Sequence, residues 1–209
     1  MGWMNYSLYI ITDESLVPGL SHVMIATDAL SGGATVIQLR DKDKSGGELY
    51  AIAKEIKTLC SEYDALFIVN DRLDIALAAG ADGVHLGQDD LPLLAARSLA
   101  PRPFIIGISA GTVEEAIRAE QEGADYIGVG PVYPTGTKPD AGPPVGLSLI
   151  REISQAVTVP VVGIGGINLS NTGAVIEAGA DGVAVISAVI CSPDISGAAG
   201  SFWDLLRVT

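Results

Sequence analysis

The segment at residues 126–138 has the residue types of a strand that leads into a phosphate-binding loop. Its first residues alternate between small and apolar side chains, which is typical of a buried β-strand. Further along, Thr135 and Thr137 can donate hydroxyl hydrogen bonds, and Gly136 allows the backbone to approach a ligand closely. Lys138 adds a positive charge. An ordinary polar turn would have the same composition, so this segment alone leaves both interpretations open.

A second set of candidate phosphate ligands follows another predicted strand, in the stretch Gln-Leu-Arg-Asp-Lys at residues 38–42. The planar guanidinium of Arg40 can bind a phosphate with two hydrogen bonds, and Lys42 can add a point charge. A solvated basic turn is the alternative interpretation.

Two acidic residues follow the next two predicted strands. Asp71 lies in the stretch Asn-Asp-Arg at residues 70–72, and Asp90 ends the stretch Gly-Gln-Asp-Asp at residues 87–90. On neighbouring loops, the two carboxylates could share one hard cation through oxygen ligands. Alternatively, Asp71 could cap a helix over residues 73–79, and Asp89 or Asp90 could cap a helix that starts near Leu91 and Pro92.

The two histidines do not suggest a catalytic base. His22 is predicted at the start of a helix and on the surface. His85 is predicted to point inward, where it either contacts a ligand or packs in the interior. We find no Ser-His-Asp arrangement, no metal-spaced histidines or cysteines, and no lysine within a strand suited to a Schiff base. The residues therefore favour charge neutralisation over acid–base chemistry.

Internal repeats predict the elements that position these residues. Near copies that begin Gly-Ala-Asp occur at residues 80–87, 123–130 and 179–186, each after a helix-like run, and a looser copy lies at residues 32–40. Strands are predicted near 8–12, 36–40, 67–70, 83–87, 105–109, 126–130, 161–165 and 182–187. Eight units of about 26 residues predict a single (β/α)8 TIM barrel over residues 1–209. A doubly wound open sheet is the alternative.

The alternation within five strands predicts which face lines the barrel. In the second strand, Ile37 and Leu39 share one face, and Gln38 shares the other with Arg40. We expect the aliphatic face to meet the helices and the small or polar face to line the barrel. The same rule places Val162 and Ile164 outside and Gly163 and Gly165 inside in the seventh strand. A glycine-lined interior would leave room for a ligand at the mouth.

The barrel prediction adds a phosphate site after the last two strands. In this fold the loops there commonly bind phosphate through backbone N–H groups. A monophosphate-sized site is therefore predicted at Gly165, Gly166, Ile186 and Ser187. Ser109, which ends the fifth strand, faces the same mouth. A second, larger anion site would combine a cation with three basic residues, Arg40, Lys42 and Lys138.

The composition limits the possible partners. The net charge of -13 argues against a general nucleic-acid or anionic-membrane surface. Cys60 and Cys191 have no metal-ligand spacing, so we expect reduced thiols in a cytoplasmic protein. No signal peptide or membrane span is predicted. The composition leaves open whether the chain is a monomer or a homo-oligomer.

The motifs resemble those of the thiamine-phosphate synthase family, also called thiamine-phosphate pyrophosphorylase. The resemblance extends over residues 8–187 and is carried by the motifs at 38–42, 70–72, 87–90, 130–138 and 165–167 in this order. It implies a (β/α)8 barrel that condenses 4-amino-2-methyl-5-hydroxymethylpyrimidine diphosphate with 4-methyl-5-(2-phosphoethyl)thiazole. The implied products are thiamine phosphate and pyrophosphate, with Mg²⁺ as the cofactor. Pyrophosphate would leave first, and the thiazole nitrogen would then attack the pyrimidine methylene cation.

The resemblance also implies roles residue by residue. The implied ligands of the pyrimidine diphosphate are Gln38, Arg40, Lys42, Asn70, Ser109 and Lys138, with Arg40, Lys42, Ser109 and Lys138 in catalytic roles. The implied Mg²⁺ ligands are Asp71 and Asp90. The implied ligands of the thiazole phosphate are Thr135, Gly136, Thr137, Gly166, Ile186 and Ser187.

One position departs from the family pattern. Gly111 stands two residues after Ser109, where the family often has histidine or cysteine. The related thiazole tautomerases use a histidine near this position and tend to lose the second acidic motif, which this chain keeps as Asp89-Asp90. These differences favour the synthase. A tautomerase-like isomerase and a non-catalytic barrel that binds thiamine phosphates to regulate a partner are the alternatives.

Overall fold

Eight parallel strands form a closed barrel in the computed structural model, which describes residues 4–137 and 142–208. The strands pair in sequence order, and the first strand closes the barrel on the eighth, with Tyr9 opposite Ala184. The predicted TIM barrel is confirmed, and the open doubly wound sheet is excluded by this closure.

The strands and helices alternate as the repeats predict. The strands are β1 Leu8–Thr12, β2 Val36–Leu39, β3 Leu66–Asn70, β4 Gly83–Leu86, β5 Ile105–Ala110, β6 Tyr126–Val129, β7 Val161–Ile164 and β8 Gly182–Val185. The α-helices in the described ranges are α1 His22–Ser31, α2 Gly46–Glu62, α3 Leu73–Ala79, α4 Leu93–Leu99, α5 Val113–Glu122, α6 Gly146–Ala156, α7 Thr172–Glu177, α8 Ser187–Ile190 and α9 Ile195–Leu206. A short 3₁₀ helix spans Glu14–Leu16.

The Gly-Ala-Asp repeats form the turns that lead into β4, β6 and β8. Gly80 ends α3 and Gly123 ends α5 in the left-handed conformation, with φ of 70° and 100°, which a glycine adopts without steric cost. Each repeat aspartate then accepts the backbone N–H of a residue near the start of the preceding strand, at 2.8 Å. The three pairs are Phe67 with Asp82, Ile106 with Asp125, and Val161 with Asp181. The repeat therefore fixes strand order and register.

The aliphatic residues form two separate layers. Ile37 and Leu39 belong to the outer layer between strands and helices, as predicted. The inner layer fills the barrel and includes Tyr9, Ile68 and Tyr126. A Cβ atom at Gly107 would overlap the Tyr126 ring, so this inward glycine makes room for a tyrosine and not for a ligand.

The predicted faces of β7 are wrong. Val162 and Ile164 belong to the barrel interior, and Gly163 faces the helices, where an added Cβ would lie 2.6 Å from Val175. The alternation separates the two faces of a strand, but it does not tell which face points inward. In β7 the glycine allows α7 to pack closely against the sheet.

Among the described residues, no helix combines the length and the apolar sequence needed to cross a lipid bilayer.

Candidate active site

A cavity of about 310 Å³ opens where β3, β5 and β8 end. Its apolar walls include Ile11, Val162 and Ile164. Most of the residues predicted for the site line this cavity, namely Gln38, Arg40, Asn70, Ser109, Thr135, Thr137, Gly165, Gly166, Ile186 and Ser187. The structure thus brings members of both predicted groups of anion ligands to one cavity.

The other predicted residues lie beside the cavity or outside the described residues. Gly136 lies between two threonines that line the wall. Lys42 is exposed and interacts electrostatically with Asp71. Asp90 lines a neighbouring depression between the β4 loop and α5. Lys138 lies outside the described residues, so its role stays a prediction.

Asp71 and Asp90 lie together, as the shared-cation hypothesis requires. The Asp90 carboxyl and the Asn70 side chain both lie close enough to the Asp71 carboxyl to shift its pKa. Burial, the Asp90 hydrogen bond and the Asp90 charge raise the pKa of Asp71 to about 6, while Lys42 opposes this rise. Two carboxyl groups that share a proton form a set of hard oxygen ligands when that proton leaves. The residues therefore fit a cation such as Mg²⁺.

The helix-cap alternatives for these acids are wrong. Arg72 precedes α3 and Pro92 precedes α4, and neither helix has a side-chain cap. Asp90 instead accepts the Gly87 N–H at 2.7 Å and closes its own turn. Asp71 adopts a left-handed backbone with φ of 59°, which is uncommon outside glycine and is found at functional sites.

A polar cluster around His22 and Asp41 holds in place the loop that carries Arg40 and Lys42. His22 is fully buried, so its predicted surface position is wrong. Its Nδ1 lies 2.7 Å from Thr12 Oγ1, and its Nε2 lies 3.0 Å from Asp41 Oδ2. Both partners come from other segments, which explains why the local sequence does not predict this burial.

Asp41 organises this loop from its centre. Its Oδ1 accepts the backbone N–H groups of Asp43 and Lys44, both at 2.9 Å. Burial alone would raise the pKa of Asp41, but the hydrogen bonds from His22, Lys44 and Asp43 lower it to about 2. Glu14, His22 and Asp41 have potential metal-ligand atoms within 4.8 Å of one another. The Lys44 ammonium already contacts Glu14 at 2.7 Å and Asp41 at 3.6 Å, so it supplies the neutralising charge.

A row of hydrogen-bonded side chains crosses the barrel interior, and all five of its members line the cavity. Gln38 Nε2 donates to Tyr9 Oη at 2.7 Å, and the Tyr9 and Tyr126 hydroxyls are 2.8 Å apart. Tyr126 Oη lies 2.9 Å from His85 Nδ1, and His85 Nε2 lies 2.9 Å from Ser109 Oγ. Burial raises the pKa of both tyrosines, so each keeps its proton. His85 is therefore a member of this row, and its side chain points into the barrel.

The comparisons with known proteins agree with this geometry. The family model described as Thiamine monophosphate synthase matches residues 8–189, which is most of the chain. This chain belongs to the thiamine monophosphate synthase family. The thiamine-phosphate synthase of Methanospirillum hungatei is 69% identical over 97% of this chain and 98% of that protein. The relative of the same name from Methanocella arvoryzae is 57% identical over 94% of this chain and 92% of that protein.

A solved structure supports the family assignment through both its fold and its sequence. The thiamine phosphate pyrophosphorylase of Pyrococcus furiosus has a TM-score of 0.91 and 45% identity, covering 98% of this chain and 97% of that one. The family predicted from the motifs is thereby confirmed.

Some cavity residues were not predicted from the family motifs. Gln88 Nε2 donates to the Ser109 carbonyl at 2.7 Å, and Glu115 accepts the Gly111 N–H at 2.7 Å. Thr112 caps α5 by accepting the Glu115 N–H. The Glu115 carboxylate is thus turned toward Gly111, the position that departs from the family pattern. The tyrosines were also missed, because the alternation in β1 and β6 does not tell which face of the strand points inward.

Proposed function

We propose that the chain condenses 4-amino-2-methyl-5-hydroxymethylpyrimidine diphosphate with 4-methyl-5-(2-phosphoethyl)thiazole, giving thiamine phosphate and pyrophosphate by a dissociative, Mg²⁺-assisted route. The observation that carries this proposal is that residues from two sets of candidate anion ligands line one cavity. A single-substrate isomerase needs only one such set. The relatives named thiamine-phosphate synthase support the same transferase activity.

The diphosphate would bind on the side of the cavity formed by β2, β3 and β5. Arg40, Asn70 and Ser109 present hydrogen-bond donors there. Mg²⁺ would be held by Asp71 and Asp90, and it would neutralise charge on the departing pyrophosphate. Stabilising that charge is the main requirement of a route in which the leaving group departs first.

The thiazole phosphate would bind on the opposite side, after β6, β7 and β8. Gly165 and Gly166 both have positive φ, of 95° and 65°, which shapes a backbone turn at the cavity. Consecutive left-handed residues can direct backbone N–H groups toward an anion. The hydroxyls of Thr135 and Thr137 line the facing wall. Two phosphate anchors of this kind would align the thiazole nitrogen with the pyrimidine methylene carbon.

The reaction would proceed without a general base in the protein. The bond between the methylene carbon and the diphosphate oxygen breaks, both electrons leave with pyrophosphate, and the thiazole nitrogen supplies the pair for the new bond. Ile11, Val162 and Ile164 form apolar walls around this point. Such walls limit the access of water to a reactive cation.

The proposal extends to a cytoplasmic location. Cys60 is buried and Cys191 is exposed, and both are free thiols. Reduced cysteines are typical of proteins in a reducing compartment.

An end-point assay with both substrates and Mg²⁺ tests the function directly. Thiamine phosphate would be oxidised to a fluorescent thiochrome, and a parallel reaction with EDTA would test the metal requirement. We expect product only when Mg²⁺ is present. Absence of product from folded protein that binds the thiazole phosphate would instead favour the tautomerase or the regulatory binder.

A further inference from the structure

The row of side chains that lines the cavity has one hydrogen-bond direction in which every buried hydroxyl hydrogen finds an acceptor within the row. This row, the hydroxyl chain, consists of Gln38, Tyr9, Tyr126, His85 and Ser109, joined by contacts of 2.7 to 2.9 Å. Its members come from five different segments and from both sides of the barrel interior. Gln38 and Ser109 are its two ends, and all five residues line the cavity.

The direction is set at the Gln38 end. The amide nitrogen of Gln38 can only donate, so the Tyr9 oxygen accepts at this contact. If Tyr9 also accepted from Tyr126, the Tyr9 hydrogen would have no acceptor in the row. Tyr9 therefore donates to Tyr126, and Tyr126 donates to His85 Nδ1. The buried location of both hydroxyls makes an unused hydrogen costly.

The same reasoning fixes the remaining bond. A neutral histidine that accepts at Nδ1 carries its hydrogen on Nε2, and Nε2 faces Ser109 Oγ at 2.9 Å. Ser109 then accepts from His85, and its own O–H is directed elsewhere. A ring with its hydrogen on Nδ1 would make Tyr9 accept from both Gln38 and Tyr126, and the buried Tyr9 hydrogen would have no acceptor in the row.

We propose that the hydroxyl chain holds His85 in the Nε2–H tautomer and thereby keeps the Ser109 hydroxyl available as a hydrogen-bond donor to an anionic substrate oxygen. This inference deepens the proposed function and rests on it for the identity of that oxygen, which belongs to the leaving diphosphate. In the reversed direction, Ser109 would donate to His85 and offer only lone pairs to the anion. Tyr9, Tyr126 and His85 are thus positioning residues for Ser109.

Nitrogen NMR on the wild-type protein tests the tautomer without any activity measurement. The chain has two histidines, so ¹⁵N-histidine labelling gives a simple spectrum, and the His85→Gln variant assigns the signals. Protonated and bare ring nitrogens resonate far apart, and couplings to the ring carbon protons distinguish Nδ1 from Nε2. At alkaline pH we expect His85 to carry its hydrogen on Nε2. An Nδ1–H signal, or a mixture of both tautomers, would overturn the proposal.

The Tyr126→Phe variant tests the consequence for catalysis. Removal of this hydroxyl leaves Nδ1 without its donor, so we expect a mixed tautomer signal. We also expect kcat to fall about tenfold, the scale of one net hydrogen bond, with the KM for the thiazole phosphate unchanged. A merely structural role would not move the tautomer signal.

Tyr6→Phe is the matched control. The Tyr6 ring lies 4.8 Å from the Tyr126 ring, but its hydroxyl contacts Met4 Sδ and is not part of the hydroxyl chain. We expect this variant to keep the wild-type tautomer and kcat. Unchanged tautomer and kcat in Tyr126→Phe would contradict the proposal, and if that variant does not fold, the wild-type spectrum decides.

The two proposals can fail separately. An Nε2–H signal in a protein that makes no thiamine phosphate would leave the hydroxyl chain intact and reject the proposed reaction. An Nδ1–H signal in an active synthase would reject the hydroxyl chain and keep the reaction.

Discussion

At the scale of single residues, Asp71 carries the proposed cation site most directly. Asparagine tolerates the left-handed backbone of this position and keeps the side-chain shape, so Asp71→Asn removes charge with little change of structure. We expect turnover to fall about 10²-fold or more, because one preorganised charge contact to the leaving group is lost. The measurement is steady-state turnover across a Mg²⁺ titration.

Asp64→Asn provides the control for this change. Asp64 also has a positive φ, of 54°, but it is exposed and precedes β3, away from the cavity. Turnover should stay close to that of the unmodified protein. Near-normal turnover in Asp71→Asn as well would contradict the assignment of Asp71 as a metal ligand.

Gly166 offers a second test, on the thiazole phosphate side. An alanine there would strain a backbone with φ of 65° and bring Cβ within 2.6 Å of the Pro134 carbonyl. We expect Gly166→Ala to raise the KM for the thiazole phosphate by at least about tenfold, since about 1.4 kcal/mol of lost contact suffices. In Gly173→Ala, the new Cβ meets no atom within 4 Å, and the KM should not change. Equal KM values in both variants would argue against phosphate binding at this turn.

The residues predictable from sequence are those whose chemistry is local. Asp71 directly follows β3 and Asp90 lies in the loop after β4, so barrel geometry brings them together, and the structure confirms this. The contact between Tyr9 and Tyr126 joins residues 117 positions apart. Tyrosine in a strand is usually only a packing residue, so nothing in the local sequence signals a polar partner.

At the scale of elements, the repeated Gly-Ala-Asp turns explain why the barrel was predictable. The repeats contain a glycine that ends a helix and an aspartate that accepts a backbone N–H of the preceding strand. These two residues lie only a few positions apart in the sequence. The faces of β7 were not predictable, because valine and glycine alternate there and either face can pack inward. The close packing of α7 on Gly163 decides the outcome, and that contact is tertiary.

The contact between the loops after β1 and β2 predicts a dependence of stability on acid. The folded-state pKa of Asp41 is about 2, below the ordinary value near 4 in an unfolded chain. The ionised group therefore stabilises the fold above about pH 4, and this contribution is lost as the pH falls toward 2. The charged and titratable groups that face it are His22, Glu14 and Lys44.

Urea unfolding of Asp41→Asn at several pH values checks this expectation. Because the carboxylate is partly in contact with solvent, we expect the variant to lose only about 1 kcal/mol at neutral pH. The difference from the unmodified protein should shrink as the pH falls below 4. The exposed Asp204, which pairs with Arg207 on α9, provides the control, and Asp204→Asn should show no such convergence. A difference that stays constant down to pH 2 would contradict the role given to Asp41.

At the scale of the whole molecule, closure of the barrel determines which residues meet at the site. Residues from β2, β3, β5, β7 and β8 meet only because the first and eighth strands pair. The cavity therefore collects the Arg40 guanidinium and several hydroxyls from segments that are far apart in a chain of net charge -13. In the proposed function, local basic groups such as Arg40 would bind the anionic substrates, while the net negative charge of the molecule would repel them.

This excess of negative charge predicts how salt affects stability. The chain has 25 acidic and 12 basic side chains, so repulsion within the compact state outweighs the ion pairs on its surface. Added NaCl screens charges separated by more than about 10 Å at 0.1 M, while contacts within hydrogen-bonding distance are screened less. We therefore expect the free energy of unfolding, measured in urea without Mg²⁺, to rise as NaCl increases from low concentration to about 0.15 M. A fall over the same range would mean that attractive pairs such as that of Lys57 with Asp82 contribute more to stability than the net repulsion removes.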